Sequence, residues 1–126
     1  MTHKIFLKNK FSDDRGDIIS LIDDFANVQV IYSKKGSMRA NHYHKTDSHY
    51  CYLIKGLIEY IWRDHKDNLI YKEIISPGEI FLTGPNIDHE MIFKEDSIMV
   101  VVSKYKRDTI SYEKDIVRIS PLHEKI

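Results

Sequence analysis

The sequence predicts an all-β fold: one small antiparallel barrel or sandwich of the jelly-roll kind, with a short charged C-terminal tail. Two observations predict it. Short runs rich in Ile, Val, Tyr and Phe recur along the chain, and turn-forming residues interrupt them at Gly16, Gly36, Gly56, Pro77-Gly78 and Gly84-Pro85, with Asp64-His65-Lys66-Asp67-Asn68 as a further polar turn. Short strands separated by such turns at roughly ten-residue spacing pack as antiparallel sandwiches or barrels. No amphipathic helical period of any length competes with them.

Taken in order, the runs Val28 to Tyr32, Tyr50 to Lys55, Leu57 to Trp62, Leu69 to Ile75, Glu79 to Thr83, His89 to Phe93 and Ile98 to Ser103 each have the length and composition of a strand. Ala40 to His44 completes the series if it is extended. The charged end from Tyr105 to Ile126 is the one segment suited to a helix or irregular structure. The expected division is a barrel over residues 1–110, with a tail over 111–126 packing on or beside it.

A chain of 126 residues forms one domain. At this size folding hides roughly two-thirds of the unfolded surface, so the core needs no disulfide or metal staple. A metal site would therefore serve function. The 19 basic and 19 acidic residues cancel, which leaves no electrostatic footprint for nucleic acid or for an anionic membrane surface. The longest apolar runs, Tyr50 to Ile54 and Ile98 to Val102, fall far short of the roughly 20 residues of a membrane helix. The start, Met1-Thr2-His3-Lys4-Ile5, turns charged at Lys8 and Lys10 and has no secretion-signal pattern. A cytoplasmic location is expected. Cys51, the single cysteine, cannot form an internal disulfide, and its place in a strand predicts a buried small hydrophobe.

Chemistry concentrates in the histidines. Of the seven, His42, His44 and His49 form one cluster and His89 stands at the head of a later strand, whereas His3, His65 and His123 stand alone and predict ordinary half-buried or surface side chains. Residues two apart on a strand share a face, so His42 and His44 project together. His49 shares parity with Cys51 and Leu53, and His89 with Met91 and Phe93, so both face an apolar interior. Four inward imidazoles without partners would be costly to bury and would repel one another when protonated. A shared cation removes both costs, and nitrogen donors favour Zn, Ni, Fe, Co or Cu over Mg or Ca.

These residues carry a resemblance. Gly36, His42-Tyr43-His44, His49 and Gly56 have the spacing of the first cupin motif, with His49 where that motif usually has Glu; Gly78, Gly84-Pro85-Asn86 and His89 resemble the second motif, with the proline displaced by one. The resemblance covers residues 36 to 93. It implies a jelly-roll barrel holding one divalent transition metal on His42, His44, His49 and His89. Phe11-Ser12-Asp13-Asp14-Arg15-Gly16 is similar to the opening of the cupin branch related to dTDP-4-dehydrorhamnose 3,5-epimerase. Arg39-Ala40-Asn41-His42-Tyr43-His44 is similar to that branch's Arg-Gly-Leu-His-Tyr-Gln, in which the arginine contacts substrate and the histidine is the general base. The end of the chain, Arg107 to Arg118 with Tyr112-Glu113-Lys114-Asp115, resembles small cupins of surface-polysaccharide synthesis. The implied activity is isomerisation or epimerisation of a 4-keto deoxysugar nucleotide. A homodimer is expected on separate grounds, because the edge strands of a small barrel are commonly covered by pairing with a second copy.

On this reading His42 and Tyr43 are the candidate catalytic residues, and Arg39, Lys45 and Tyr52 the candidate substrate-binding ones. A histidine ligating a metal has committed its lone pair, so His42 serves either as ligand or as base. With the metal bound, Tyr43, Tyr52 and Tyr60 are the remaining candidates for proton transfer. Lys34, Lys35, Arg39 and Lys45 form a stretch without an acidic residue. Such a rim attracts anions, and a fork-shaped guanidinium suits a diphosphate. Of Tyr50, Tyr52, Tyr60 and Trp62, most are expected in the core or an interface. A metal-dependent dioxygenase and a non-catalytic sugar-binding cupin stay open beside the isomerase.

Overall fold

In the computed structural model of the chain, residues 1–6, 10–14, 16–19, 27–105 and 109–126 are described. The predicted strands form because each alternates residues that can be buried with residues that tolerate water. They are β3 (Asn27–Ser33), β4 (Met38–His44), β5 (His49–Lys55), β6 (Ile58–Asp64), β7 (Ile70–Ile75), β8 (Ile80–Thr83), β9 (Ile87–Phe93) and β10 (Ser97–Ser103). A hairpin of β1 (Lys10–Asp13) and β2 (Gly16–Ile19) precedes them. A short helix, α1 (Thr109–Asp115), the strand β11 (Ile116–Arg118) and a 3-10 turn over Leu122–Lys125 follow. The hairpin and β11 are the strands the apolar runs do not announce.

Two antiparallel sheets face each other. The smaller has the order β3-β10-β5-β8 and the larger β11-β4-β9-β6-β7, with β1-β2 a separate two-stranded ribbon. Leu53, Ile58, Tyr60, Trp62, Phe81 and Phe93 fill the space between the sheets and are almost wholly excluded from water. The first residues close one edge: Ile5 N–H donates to Ile80 O at 3.0 Å, Leu82 N–H donates to His3 O at 3.1 Å, and Lys4 pairs with Glu79 at 2.8 Å. The end of the chain closes the opposite side, where β11 pairs antiparallel with β4. No helix among the described residues is long and apolar enough to cross a membrane.

One turn between strands admits only glycine. Gly56 has φ +109, and a Cβ there would lie 2.0 Å from Ser97 Oγ and 2.7 Å from Ser97 Cα.

Candidate active site

A β-bulge aims the first two histidines. On β4, Ala40 lies opposite Glu90 and His42 opposite His89, so Asn41 is an extra residue between two partners one apart. Ala40 and Asn41 both have left-handed φ, 73 and 56. Without the extra residue the alternation from Arg39 would point position 41 into the sandwich and His42 out of it. With it, Arg39, His42 and His44 all turn inward.

The four histidines converge as the sequence predicts. Ring centroids lie 4.8 Å apart for His42 with His44 and for His42 with His89, 5.2 Å for His44 with His49, and 5.4 Å for His49 with His89. All four are buried. His42, His44 and His89 each bring a ring nitrogen within 4.8 Å of the others. The group opens into a cavity of about 260 Å³ whose wall includes Arg39, His42, His49, Cys51, His89, Met91 and Tyr112. Cys51 is buried, as expected, but its Sγ also lies 3.4 Å from His49 Nδ1 on this wall.

Two of the imidazoles have their tautomers set. His89 Nδ1 lies 2.9 Å from Ile87 O, which only accepts, so Nδ1 carries the proton and Nε2 presents a lone pair. His44 Nδ1 lies 2.9 Å from Asp115 Oδ2. Burial is the largest single influence on Asp115 and opposes ionisation. Hydrogen bonds from the Thr46 hydroxyl and N–H and from His44 outweigh it together and hold the carboxyl below the usual carboxylate range. An ionised Asp115 takes the Nδ1 proton of His44 as its hydrogen bond and turns the Nε2 lone pair toward the cluster.

Not every candidate reaches the cavity. Tyr43 lies on the other face of β4, its ring 4.6 Å from that of His65, because alternate strand residues point apart. Tyr52 lies on the outer face of the smaller sheet, opposite Val100 and Ile80, away from His49 and Cys51. Lys45 is exposed and lines an adjoining groove with Tyr105, Ser111, Tyr112 and Asp115. Tyr43 and Tyr52 are therefore corrected from the cavity to the surface around it. Tyr60 is core: its hydroxyl bonds Thr83 at 2.9 Å and His3 at 2.9 Å, and burial pushes its pKa far up. Arg39 stands at the cavity mouth, with Nε donating to Ser33 Oγ at 2.8 Å and Nη2 to Tyr32 O at 3.0 Å. Lys34 and Lys35 are exposed beside it. Arg15 and Arg107 lie outside the described residues.

Two residues of the site escape the spacing argument. Asp115 lies 71 positions from His44. Tyr112, on α1, sets its ring 5.9 Å from His42 and 6.1 Å from His44 and forms part of the cavity wall. The quoted Tyr112-Glu113-Lys114-Asp115 run contains both, but only by resemblance and without roles.

Neither a family model nor a curated protein sequence matches the chain. Solved structures do. The TDP-quinovose 3,4-ketoisomerase WlaRB of Campylobacter jejuni superposes with TM-score 0.75 at 20% identity, over 92% of this chain and 90% of that one. The fold is that of the cupins. A mutant 3,4-ketoisomerase QdtA from Thermoanaerobacterium thermosaccharolyticum, in complex with TDP-4-keto-6-deoxyglucose, gives TM-score 0.73 at 20% identity, over 94% and 88% of the two chains. The dTDP-4-dehydrorhamnose 3,5-epimerase of Sulfolobus tokodaii gives 0.71 at 19%, over 90% and 74%. The cupin fold that the resemblance implies is thus the architecture found.

The donor set fits a transition metal. His42, His44 and His89 offer ring nitrogens close together, and the second nitrogens of His44 and His89 are anchored by a carboxylate and a carbonyl, the outer arrangement that metal-ligating histidines keep.

Proposed function

We propose that this cupin isomerises or epimerises a 4-keto deoxysugar nucleotide for surface-polysaccharide synthesis. The observation that carries the reading is the His44–Asp115 pair, which directs an imidazole lone pair into a cluster whose other histidines, His42, His49 and His89, wall the cavity. Proton removal beside a ketone needs a base of this kind: a neutral imidazole whose other nitrogen is held by a carboxylate. The structural neighbours with ketoisomerase and epimerase activities support the same chemistry.

In this scheme the sugar ring enters the cavity. About 260 Å³ suits a sugar rather than a whole nucleotide, because drug-sized ligands occupy roughly 300–1,000 Å³. The diphosphate stays at the mouth, where β3 tethers two nitrogens of Arg39 and leaves Nη1 for a phosphate oxygen. The proton on the carbon next to the ketone passes to the His42–His44 pair, of which His42 lines the cavity, and the electron pair passes to the ketone oxygen as an enolate. The pair returns the proton to the former ketone carbon while the neighbouring hydroxyl gives its proton to the enolate oxygen, which moves the ketone by one carbon, or returns it to the original carbon from the other side, which inverts that centre. The apolar wall of Met91 and Met99 keeps water from the enolate.

The same donor set supports a second reading, a divalent transition metal (Zn, Ni, Fe, Co or Cu) on His42, His44 and His89 with His49 alongside. Bound there, the metal would supply Lewis acidity to the ketone.

We also propose a homodimer. The outer face of the smaller sheet carries Val28, Val30, Tyr32, Tyr50, Tyr52, Ile98 and Val100, with Lys55 opposite Ile98 at one end, and Val28, Val30 and Tyr32 are more than half exposed. A largely apolar face can mate with its own copy.

The deciding experiment incubates the protein with 4-keto deoxysugar nucleotides in deuterated water and follows C3 and C5 by NMR. Deuterium at either carbon, with an isomerised or epimerised product, is expected. Binding without exchange for every nucleotide tried would leave a sugar-binding module.

A further inference from the structure

Three sets of contacts outside the cavity stand out, and they share one continuous stretch of chain, residues 113–123. Glu90 is a wholly buried carboxylate on β9, next in sequence to His89 but on the opposite face of the sheet, where its partner in register on β6 is the buried Ile61. Its Oε1 lies 2.7 Å from Nδ1 of His123 in the 3-10 turn, and Leu122 beside it is wholly buried against β6 and β9. Between His123 and the cavity the chain runs back through β11, whose neighbour Ile119 donates its N–H to Asn41 O at 3.0 Å, to Asp115, whose carbonyl accepts from Lys45 N–H at 2.8 Å. A bidentate pair of Arg118 with Glu113, 2.9 Å at each nitrogen, ties β11 to α1.

The segment thus wraps the edge of the larger sheet and is fastened on both sides of it. Inside, Asp115 holds His44 and Tyr112 lies against His42 and His44. Outside, His123 holds Glu90. A carboxyl group with no exposure is costly to bury without a hydrogen-bond partner, and His123 is the one Glu90 has among the described residues.

We infer that Glu90 and His123 are positioning residues for the active site: they clamp the C-terminal strap so that Asp115 and Tyr112 meet the histidine cluster. The inference deepens the proposed function and rests on it for the catalytic consequence alone. Detaching the clamp lets β11 and α1 lift from β4 while the β6–β9 core stays closed, because the two have separate hydrogen-bond ladders.

The test is native-state hydrogen exchange on the full chain, comparing wild type, His123→Ala and His123→Gln. Exchange of the Lys45 and Ile119 amides is expected to accelerate at least tenfold in His123→Ala, with the Tyr60 and Met91 amides within twofold of wild type. His123→Gln, which can still donate to Glu90, is expected to restore most of the protection. Unchanged exchange at Lys45 and Ile119, or equal acceleration in strap and core, would overturn the clamp. With a substrate in hand, His123→Ala should lower kcat with KM within about threefold. Loss through KM alone overturns the positioning role. If no substrate turns over, the isomerase reading fails while the exchange result still decides the clamp.

Discussion

Asp115 Oδ2 lies 2.9 Å from His44 Nδ1, and Thr46 holds the other oxygen of the same carboxylate through both its N–H and its hydroxyl. The carboxylate is therefore fixed before it fixes the imidazole. An amide in its place can turn its NH₂ toward His44 and favour the opposite tautomer, with the lone pair aimed away from the cavity. Asp115→Asn is expected to lower the rate of deuterium exchange by about 10²- to 10⁴-fold. NMR of the His44 ring nitrogens checks the cause: the protonated nitrogen should change from Nδ1 to Nε2, and an unchanged tautomer with reduced rate would refute it.

The bulge on β4 carries a cost of its own. Ala40 holds φ 73, a left-handed conformation in which its Cβ crowds the carbonyl. That costs an L-residue roughly 1–2 kcal/mol, and glycine escapes it while losing about 0.5–1 kcal/mol more backbone entropy on folding. Ala40→Gly is expected to stabilise the protein by about 0.5–1 kcal/mol, read as a higher urea midpoint at constant slope. Gly56→Ala should do the reverse by roughly 2–4 kcal/mol, through positive φ and the contact with Ser97 together.

Acid should loosen the N-terminal edge. Burial opposes ionisation of Glu79 most strongly, but the hydrogen bond and charge of Lys4 and the Ser76 N–H outweigh it and hold the carboxyl below its ordinary 4.5. A lowered folded-state pKa gives stability that is present above about pH 4.5 and lost as the pH falls through the folded value. The melting temperature of Glu79→Gln is therefore expected below that of wild type at pH 6, with the gap closing below pH 4.5. A gap that stays constant from pH 6 to pH 3 would rule out this linkage.

How far the sequence carries depends on the range of the signal. The strands and the ring of His42, His44, His49 and His89 follow from a period of two, which is local. The same period, applied to β5 alone, already sets Tyr52 on the face opposite His49, so that candidate conflicts with the rule that places the histidines. The bulge at Asn41 gives no warning, because neither Ala40 nor Asn41 is a glycine. Asp115, Tyr112 and the Glu90–His123 pair depend on where a short helix, a three-residue strand and a 3-10 turn come to rest, and no periodicity reports that. His3, His65 and His123 stand alone in sequence yet each has a polar partner: Tyr60, Asp88 and Glu90.

The apolar outer face of the smaller sheet gives the next prediction. Val30 lies midway along the edge strand β3, opposite Val100, and is 54% exposed. A charge there would have to be desolvated twice across a two-fold interface, at little cost to a monomer. Light scattering at micromolar concentration is expected to give a dimer for wild type and a monomer for Val30→Lys. Equal masses for the two would remove this face as the interface.

The last prediction separates base from ligand at His44. A lone pair given to a metal is unavailable to a proton, so the proton-transfer reading requires that metal and catalysis compete for His42 and His44. Wild-type protein treated with a chelator is therefore expected to retain full deuterium exchange, and added Zn to inhibit it as the ring of His42, His44 and His89 fills. His44→Gln should abolish exchange and weaken Zn binding together. His89→Ala, which removes a ligand nitrogen but leaves the His44–Asp115 pair, should weaken Zn binding and make exchange less sensitive to Zn. Loss of exchange on chelation, with recovery on adding metal, would reverse the assignment: His44 would then be a ligand, and the proton would have to pass through another group on the wall, of which Tyr112 carries the one hydroxyl.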